Sequence, residues 1–350
     1  MSLSLIKNIK TGSINEHLLE LDQLINGKQT FILCDENTCV FLDYLFKNVP
    51  SLTTAKKIKI PSGENYKNLN TSILIWEFLS KNKAKRNSVL INFGGGMITD
   101  IGGFTAATFK RGISYINIPT SLLAMIDASF GGKTGINLNH EKNQIGVFSN
   151  PDLVICDPFF LKTQSKDQIS SGYAEIIKHG LIYDNEYWKY CTSNTINNLD
   201  FNKIITDSIK IKAKVVSEDP TENGRRKILN FGHTIGHAIE TLMINRKKPV
   251  LHGQAIAAGL YTEAFISNKI AKLTELELKE IQHYIYSNYN KISFNRDDLN
   301  EILKIMENDK KRYNKKHNFS LITKIGNATF DNFVEDNIVE AALIDYMEYS

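Results

Sequence analysis

The chain has 350 residues, 42% hydrophobic and 23% charged, which is ordinary globular composition with room for two domains. Its net charge of +4, from 42 basic and 38 acidic residues, is too balanced to indicate nucleic-acid binding. The first ten residues contain no long apolar run, and no stretch approaches the roughly 18 apolar residues of a membrane span. These features predict a cytoplasmic protein with no membrane partner. The 4 cysteines lack CxxC spacing, so a disulfide framework or a zinc cluster is not indicated, and Cys34, Cys39 and Cys156 are expected to be buried.

Short apolar runs alternate with amphipathic runs in the first half of the chain. Strands are predicted at 30–34, 56–60, 88–93, 115–118 and 153–156, and helices near 16–25, 40–47, 70–82 and 98–108. This alternation predicts a parallel sheet covered by helices on both faces, which is a Rossmann-like α/β domain. We place this domain at residues 1–158.

Helical periodicity dominates after Pro158. Helices are predicted near 167–183, 196–217, 229–242, 252–269, 274–289 and 298–309, and the one strand expected in this half is 319–323. The pattern predicts a second, mostly α-helical domain over residues 159–350.

A glycine-rich turn follows the third predicted strand. The sequence Gly94-Gly95-Gly96 opens the next helix, so backbone N–H groups there can approach a pyrophosphate, although the spacing is not GxGxxG. A tight turn with close helix packing is the alternative. The segment 62–67 follows the second predicted strand and can contact ribose or nicotinamide, or be a plain turn.

Several cations lie in glycine-rich surroundings. The run 131–135 superficially suggests a P-loop, but Asp127 stands where the upstream glycine is required, so that motif is rejected. Lys133, Lys142-Asn143 and Arg111 remain candidates for a phosphate or carboxylate, and a solvated surface cation is the alternative for each.

Two histidines one helical turn apart form the most informative local pattern. If 230–240 is read as a helix, an apolar stripe lies opposite a polar face with Asn230, His233, His237 and Glu240. Such a pair can hold a metal, or one imidazole can bind metal while its neighbour moves protons. A solvated helix face is the alternative. His252 follows shortly after in Leu251-His252-Gly253-Gln254.

A carboxylate and a lysine lie on the same face of the predicted helix 172–180. Glu175 and Lys178 point away from its apolar stripe, so they form either an exposed ion pair or part of a site. A Glu/His/His set would leave coordination positions free, as catalytic zinc sites require.

Taken together, the motifs GGGMITDIGGFTAATFKRG, IPTSLLAMIDASFGGKTGIN, KNQIGVF, GYAEIIKHG, GRRKILNFGHTIGHAIE and LHGQ make the chain similar to the 3-dehydroquinate synthase family of sugar-phosphate cyclases. The resemblance implies an NAD-binding α/β domain, a helical domain carrying a divalent metal (Zn²⁺ or Co²⁺), and a homodimer. The implied enzyme is a phosphate-eliminating lyase of the shikimate pathway of aromatic amino acid biosynthesis, with an anionic small-molecule substrate. It would convert 3-deoxy-D-arabino-heptulosonate 7-phosphate to 3-dehydroquinate by transient NAD oxidation, phosphate elimination, re-reduction and aldol closure.

The resemblance also assigns roles to residues. The implied metal ligands are Glu175, His233 and His252, which leaves His237 as a catalytic neighbour, whereas spacing alone would pair His233 with His237. The implied NAD contacts are Asp35, Ser62, Gly63, Glu64, Asn65, Tyr66, Lys67, Gly96, Met97, Ile98, Thr99, Asp100, Thr120, Ser121, Lys133, Lys142, Phe160, Leu161, Lys162 and Thr163. The implied catalytic and substrate-binding residues are Arg111, Lys133, Asn143, Lys178, Lys212, Arg226, Asn230, His237 and either Lys310 or Lys311.

Three residues depart from the family pattern: Thr99 in the phosphate loop, His179 and Gln254. The first could alter cofactor affinity, and the last removes a charge near the implied metal. Alternatives from other classes are a different sugar-phosphate cyclase, an NAD- and metal-dependent polyol dehydrogenase, or a non-catalytic sensor. Asn230 and His237 match the dehydroquinate branch.

Overall fold

A computed structural model describes residues 7–139, 141–193, 198–308, 312–313 and 316–349 of the chain. The chain divides into two units, one of Met1–Gln164 with Phe201–Ala213 and the other of Ser165–Asp200 with Lys214–Ser350. The lysine pair Lys310-Lys311 lies outside the described residues. Among the helices that the structure describes, none combines the length and apolar character needed to cross a membrane.

A six-stranded parallel sheet forms the centre of the first unit. Its strands, in chain order, are β1 (Ile9–Thr11), β2 (Thr30–Asp35), β3 (Lys56–Ile60), β4 (Val89–Gly94), β5 (Ser114–Pro119) and β8 (Leu153–Cys156). The spatial order is β1-β8-β5-β4-β2-β3. Every residue of β4 is buried, which explains why the central strands appear in the sequence as continuous apolar runs. All five predicted strands are present.

Helices accompany this sheet as the alternating pattern predicts. They are α1 (Leu18–Ile25), α2 (Leu42–Asn48), α3 (Leu69–Lys81) and α4 (Gly96–Thr108), with the first part of α7 (Phe201–Glu218). Two features were not anticipated: the edge strand β1, and an antiparallel hairpin of β6 (Lys133–Leu138) and β7 (Glu141–Phe148). The predicted α/β fold class of this half is confirmed.

The second unit is mostly helical, as predicted. Its helices are α5 (Lys166–Tyr183), α6 (Asn185–Thr192), the end of α7, α8 (His233–Asn245), α9 (His252–Ile270), α10 (Glu275–Asn288), α11 (Arg296–Asn308) and α12 (Asp336–Glu348). The Ser165 hydroxyl accepts a hydrogen bond from the Gln168 N–H and fixes the start of α5. The cap therefore sets where α5 begins, and the residues that follow, including Glu175, take their places on its faces from that point.

Three sequence expectations are corrected here. The expectation of a single strand in the second half is wrong, because β10 (Lys316–Lys324) pairs with β11 (Asn327–Val334) on one side and β9 (Arg312–Tyr313) on the other. Cys39 is only partly buried, whereas Cys34 and Cys156 are buried as expected. Residue Asn230 lies in a 3₁₀ turn before α8, so it does not share the helix face of the histidines. The functional division at residue 158 stays a prediction.

Candidate functional site

The helix that carries His233 and His237 begins after a position that requires glycine. Gly232 has φ 81°, in the left-handed region, and a Cβ there would lie 2.6 Å from Leu260 Cδ2. Gly232 follows the 3₁₀ turn as the N-cap of α8 and lets that helix start at His233. The imidazole of His233 therefore projects from the first residue of α8. The helix predicted from the sequence, near 229–242, would have placed it in the second turn.

A buried carboxylate faces two imidazoles in the second unit. Oε1 of Glu175 lies 3.3 Å from His233 Nε2 and 3.7 Å from His252 Nε2, and the Glu175 side chain is fully buried. Oε1 has no hydrogen-bond partner among the described residues. Its other oxygen forms an ion pair with the Lys178 ammonium, which is buried too. The alternative of an exposed Glu175–Lys178 pair is therefore wrong.

Both imidazoles can direct a lone pair towards this carboxylate. Nδ1 of His233 lies 3.2 Å from the Phe231 carbonyl oxygen, and Nδ1 of His252 lies 3.4 Å from Glu240 Oε2. With Nδ1 protonated as the donor in each ring, Nε2 carries the free lone pair. One carboxylate and two imidazoles with an orphaned buried oxygen between them fit a divalent metal, and they leave positions for other ligands.

The electrostatics favour the ionised carboxylate. Burial acts to raise the pKa of Glu175, but the adjacent Lys178 ammonium outweighs burial and holds that pKa well below its usual range. Burial and Lys178 lower the pKa of His233, which favours its neutral form. Burial acts against a charge on His252, yet the Glu175 and Glu240 carboxylates raise the pKa of His252 to about 9. A metal at this site would therefore replace a proton on His252.

Close backbone contact brings together two of the helices that carry candidate metal ligands, α5 and α9. Gly253, beside His252 on α9, donates its N–H to the Ser171 hydroxyl of α5 at 2.9 Å. A Cβ on Gly253 would stand only 1.9 Å from the Ser171 carbonyl oxygen. The approach of α9 to α5, and with it the approach of His252 to Glu175, requires glycine at this position.

His237 stands beside the two candidate ligands. Its ring centroid lies 5.0 Å from that of His233 and 5.6 Å from that of His252. One nitrogen from each of the three histidines lies within 4.8 Å of the others. The geometry thus allows either the Glu175 set or the three-histidine set, and His237, which is exposed, is placed to contact a substrate.

The other candidates of the second unit lie in an ordered turn. Arg226 is buried and donates from Nη1 to the Pro220 carbonyl at 2.7 Å. Asn230 donates from its amide to Glu222 Oε1 at 2.8 Å. Asp219 accepts the N–H of Arg226 at 3.1 Å and fixes this turn. Both candidate side chains therefore have protein partners in this structure.

In the first unit, most candidate NAD contacts follow the carboxyl ends of the parallel strands, where α/β sheets bind ligands. Strands β2 and β4 are neighbours although β3 lies between them in sequence, so the strand order reverses there. Asp35 ends β2, and segments 62–67, 96–100, 120–121 and 160–163 follow β3, β4, β5 and β8. Nζ of Lys67 joins two of these segments, at 2.8 Å from Asp100 Oδ2 and 3.2 Å from Glu64 Oε1.

The remaining candidates of the first unit lie outside these strand-end segments, although the hairpin of β6 and β7 contacts segment 62–67 through the Asn137 N–H, which donates to the Lys67 carbonyl at 2.8 Å. Lys133, Lys142 and Asn143 lie on the hairpin β6–β7, and Arg111 is exposed after α4. The buried Lys212 of α7 pairs with Asp127 Oδ1 at 2.7 Å. Asp127, which excluded a P-loop, is therefore the ion-pair partner of the candidate Lys212.

Two departures from the family pattern have structural roles. Gln254 Oε1 accepts the Leu251 N–H at 3.1 Å and caps the start of α9, the helix of His252. Thr99 is buried, and its hydroxyl donates to the Gly96 carbonyl at 3.0 Å inside the glycine turn. His179 is buried as well.

The sequence reasoning gave no role to Glu240, which the structure places behind His252. The available signal was its position on the polar face of α8 together with His233 and His237. A carboxylate behind a candidate ligand orients the ring and raises its basicity.

Comparison with known proteins agrees with this architecture. A family model described as "3-dehydroquinate synthase N-terminal" matches residues 57–171, and one described as "3-dehydroquinate synthase C-terminal" matches residues 172–312. The 3-dehydroquinate synthase of Parabacteroides distasonis is 41% identical, covering 91% of each chain. That of Campylobacter concisus is 36% identical, covering 99% of this chain and 100% of the relative.

Solved structures of other cyclases share the fold. A 2-deoxy-scyllo-inosose synthase with carbaglucose-6-phosphate, NAD⁺ and Co²⁺ has a TM-score of 0.83 at 24% identity, covering 97% of this chain and 96% of that one. A 2-epi-5-epi-valiolone synthase from Streptomyces hygroscopicus with NAD⁺ and Zn²⁺ has a TM-score of 0.83 at 21% identity, covering 98% and 97%. At these identities the likeness establishes the fold alone.

Proposed function

Because the chain belongs to the 3-dehydroquinate synthase family, we propose that it converts 3-deoxy-D-arabino-heptulosonate 7-phosphate to 3-dehydroquinate and inorganic phosphate. It is a carbon–oxygen lyase of the shikimate pathway that uses NAD and a divalent metal, Zn²⁺ or Co²⁺. The observation that carries the proposal is the buried Glu175 oxygen that faces His233 and His252. We further propose a homodimer in the cytoplasm, with NAD held mainly by residues 1–158 and metal and substrate mainly by residues 159–350.

The chemistry divides between the bound groups and the chain. Bound NAD supplies a recycled hydride acceptor, and the divalent metal supplies a Lewis acid. Glu175, His233 and His252 would hold that metal, whose Lewis acidity would act on substrate oxygens. His237 projects from the same helix as His233, so it can move a proton to or from a substrate oxygen.

Cationic and amide side chains match the charge of the substrate. The substrate carries a carboxylate and a phosphate, and both anions favour Lys and Arg partners. We assign this binding to Arg111, Lys133, Asn143, Lys178, Lys212, Arg226 and Asn230. For the cofactor, Lys67 and Asp100 are already joined by an ion pair, which pre-organises two segments proposed to contact NAD.

One assay separates the proposal from its alternatives. The protein is incubated with the heptulosonate phosphate, NAD⁺ and Zn²⁺, and inorganic phosphate is measured together with absorbance of NADH. We expect phosphate release without accumulation of NADH. Accumulation of NADH would indicate a polyol dehydrogenase, and turnover of heptulose 7-phosphate, which lacks the carboxylate, would indicate a different cyclase. Absence of NAD or metal binding would support a non-catalytic sensor.

A further inference from the structure

A second fully buried carboxylate lies behind His233. Glu263 belongs to α9, where it interrupts a run of small and apolar residues, and its side chain is inaccessible to solvent. Its Oε2 accepts the Gly232 N–H at 2.6 Å, and its Oε1 accepts the Ile235 N–H at 3.0 Å. A buried charge is costly unless it is hydrogen-bonded, and these two bonds stabilise it at the positive end of α8.

The peptide that Glu263 contacts also contacts the candidate ligand. The N–H of Gly232 and the carbonyl of Phe231 belong to one planar, conjugated peptide group. That carbonyl oxygen accepts the His233 Nδ1–H at 3.2 Å. Donation of the N–H to a carboxylate polarises the peptide and makes its carbonyl a stronger acceptor.

We propose that Glu263 is a positioning residue for the metal ligand His233, acting through the Phe231–Gly232 peptide. The carboxylate holds this peptide, the peptide holds the Nδ1–H of His233, and Nε2 is thereby directed towards Glu175. His252 has the same support without an intermediary, because Glu240 contacts its Nδ1 directly. Each imidazole of the proposed metal set thus has a carboxylate behind it. The inference depends on the metal site proposed above.

The test compares two replacements of buried or partly buried glutamates. In Glu263→Gln the shape is kept, but the charge is lost and an amide N–H faces one of the two backbone donors. The control is Glu277→Gln, since Glu277 also accepts backbone N–H groups, from Ile325 at 3.0 Å and Thr274 at 3.2 Å. Its helix, α10, carries no proposed site residue. Zn²⁺ affinity is measured by competition with a chelator, and the visible absorption of bound Co²⁺ reports the ligand geometry.

We expect Glu263→Gln to weaken Zn²⁺ binding by about 10- to 100-fold and to change the Co²⁺ spectrum. Glu277→Gln is expected to leave both unchanged, even where it lowers the melting temperature. Unchanged metal affinity and spectrum in Glu263→Gln, or equal losses in both variants, would overturn the inference. If Glu263→Gln does not fold, Glu263→Asp is measured instead. It keeps the charge but shortens the reach, and wild-type metal affinity in this variant would also overturn the inference. Failure of the unaltered protein to bind metal would instead refute the proposed metal site.

Discussion

Replacement of Gly253 by alanine tests whether the close approach of α9 to α5 builds the proposed metal site. The added Cβ would lie 1.9 Å from the Ser171 carbonyl oxygen and 2.5 Å from Ser171 Cα. Both atoms belong to the backbone of α5, so neither can rotate away. Ordinary contact begins at 3.4 Å, so the start of α9 must move by 3.4 − 1.9 = 1.5 Å to accept the methyl group.

That displacement is large compared with what a metal site tolerates. Metal–ligand distances hold within about 0.2 Å, so a shift of the adjacent His252 by this amount removes it from the ligand set. We expect Zn²⁺ affinity to fall by at least about 100-fold, because mutations of residues that merely support a metal ligand already cost about 10- to 100-fold. Turnover should fall by about 10²-fold or more, as for a misplacement of about 1 Å. Overpacking should lower the free energy of unfolding by about 1–3 kcal/mol.

The stability measurement has a definite sign. Without a clash, alanine in place of a helical glycine would stabilise by about 0.5–1 kcal/mol. Thermal unfolding, Zn²⁺ titration and phosphate release are measured for Gly253→Ala and for Ser171→Ala. The second variant removes the hydrogen bond from Gly253 without adding volume, so it separates that bond from the clash. A more stable Gly253→Ala protein with unaltered metal affinity would refute the reasoning.

Three further outcomes are expected. Glu175→Gln should lose the metal and turnover together, measured as metal content and phosphate release, and normal values of both would contradict the ligand assignment. His237→Ala should keep the metal but lose about 10²–10⁴-fold in rate, as for a proton-transfer group, whereas metal loss would favour the three-histidine set. Burial raises the pKa of Cys34 to about 12, so thiol reagents near pH 8.5 should modify the partly buried Cys39 first. Labelling of each cysteine in the native protein is measured by peptide mass analysis. Equally fast labelling of Cys34 and Cys39 would contradict this order.

The parallel sheet was predictable because burial on both faces leaves a continuous apolar run. The fully buried strand 153–156 was bounded as the structure has it for this reason. The edge strand 56–60 was also bounded correctly, but its sequence alternates lysine with isoleucine and most of its residues are exposed. The hairpin β6–β7 has no such run: most of its described residues are exposed or half-buried, and glycine interrupts both strands. Every residue of strand β11 except the last is likewise exposed or half-buried. Strands without a buried face leave no hydrophobic period in the sequence.

The histidine pair and the proposed metal set differ in what a sequence can reveal. Two imidazoles four residues apart can be recognised in the sequence, because a single helix fixes the distance between them. The set of Glu175, His233 and His252 comes from three helices, and helical periodicity states which face a residue occupies but not which helix lies opposite. That pairing depends on the contact of Gly253 with Ser171, and a glycine in a helix is not locally distinguishable as a contact point. The ligand set was therefore reached by family resemblance, and its geometric support comes from packing that no local pattern encodes.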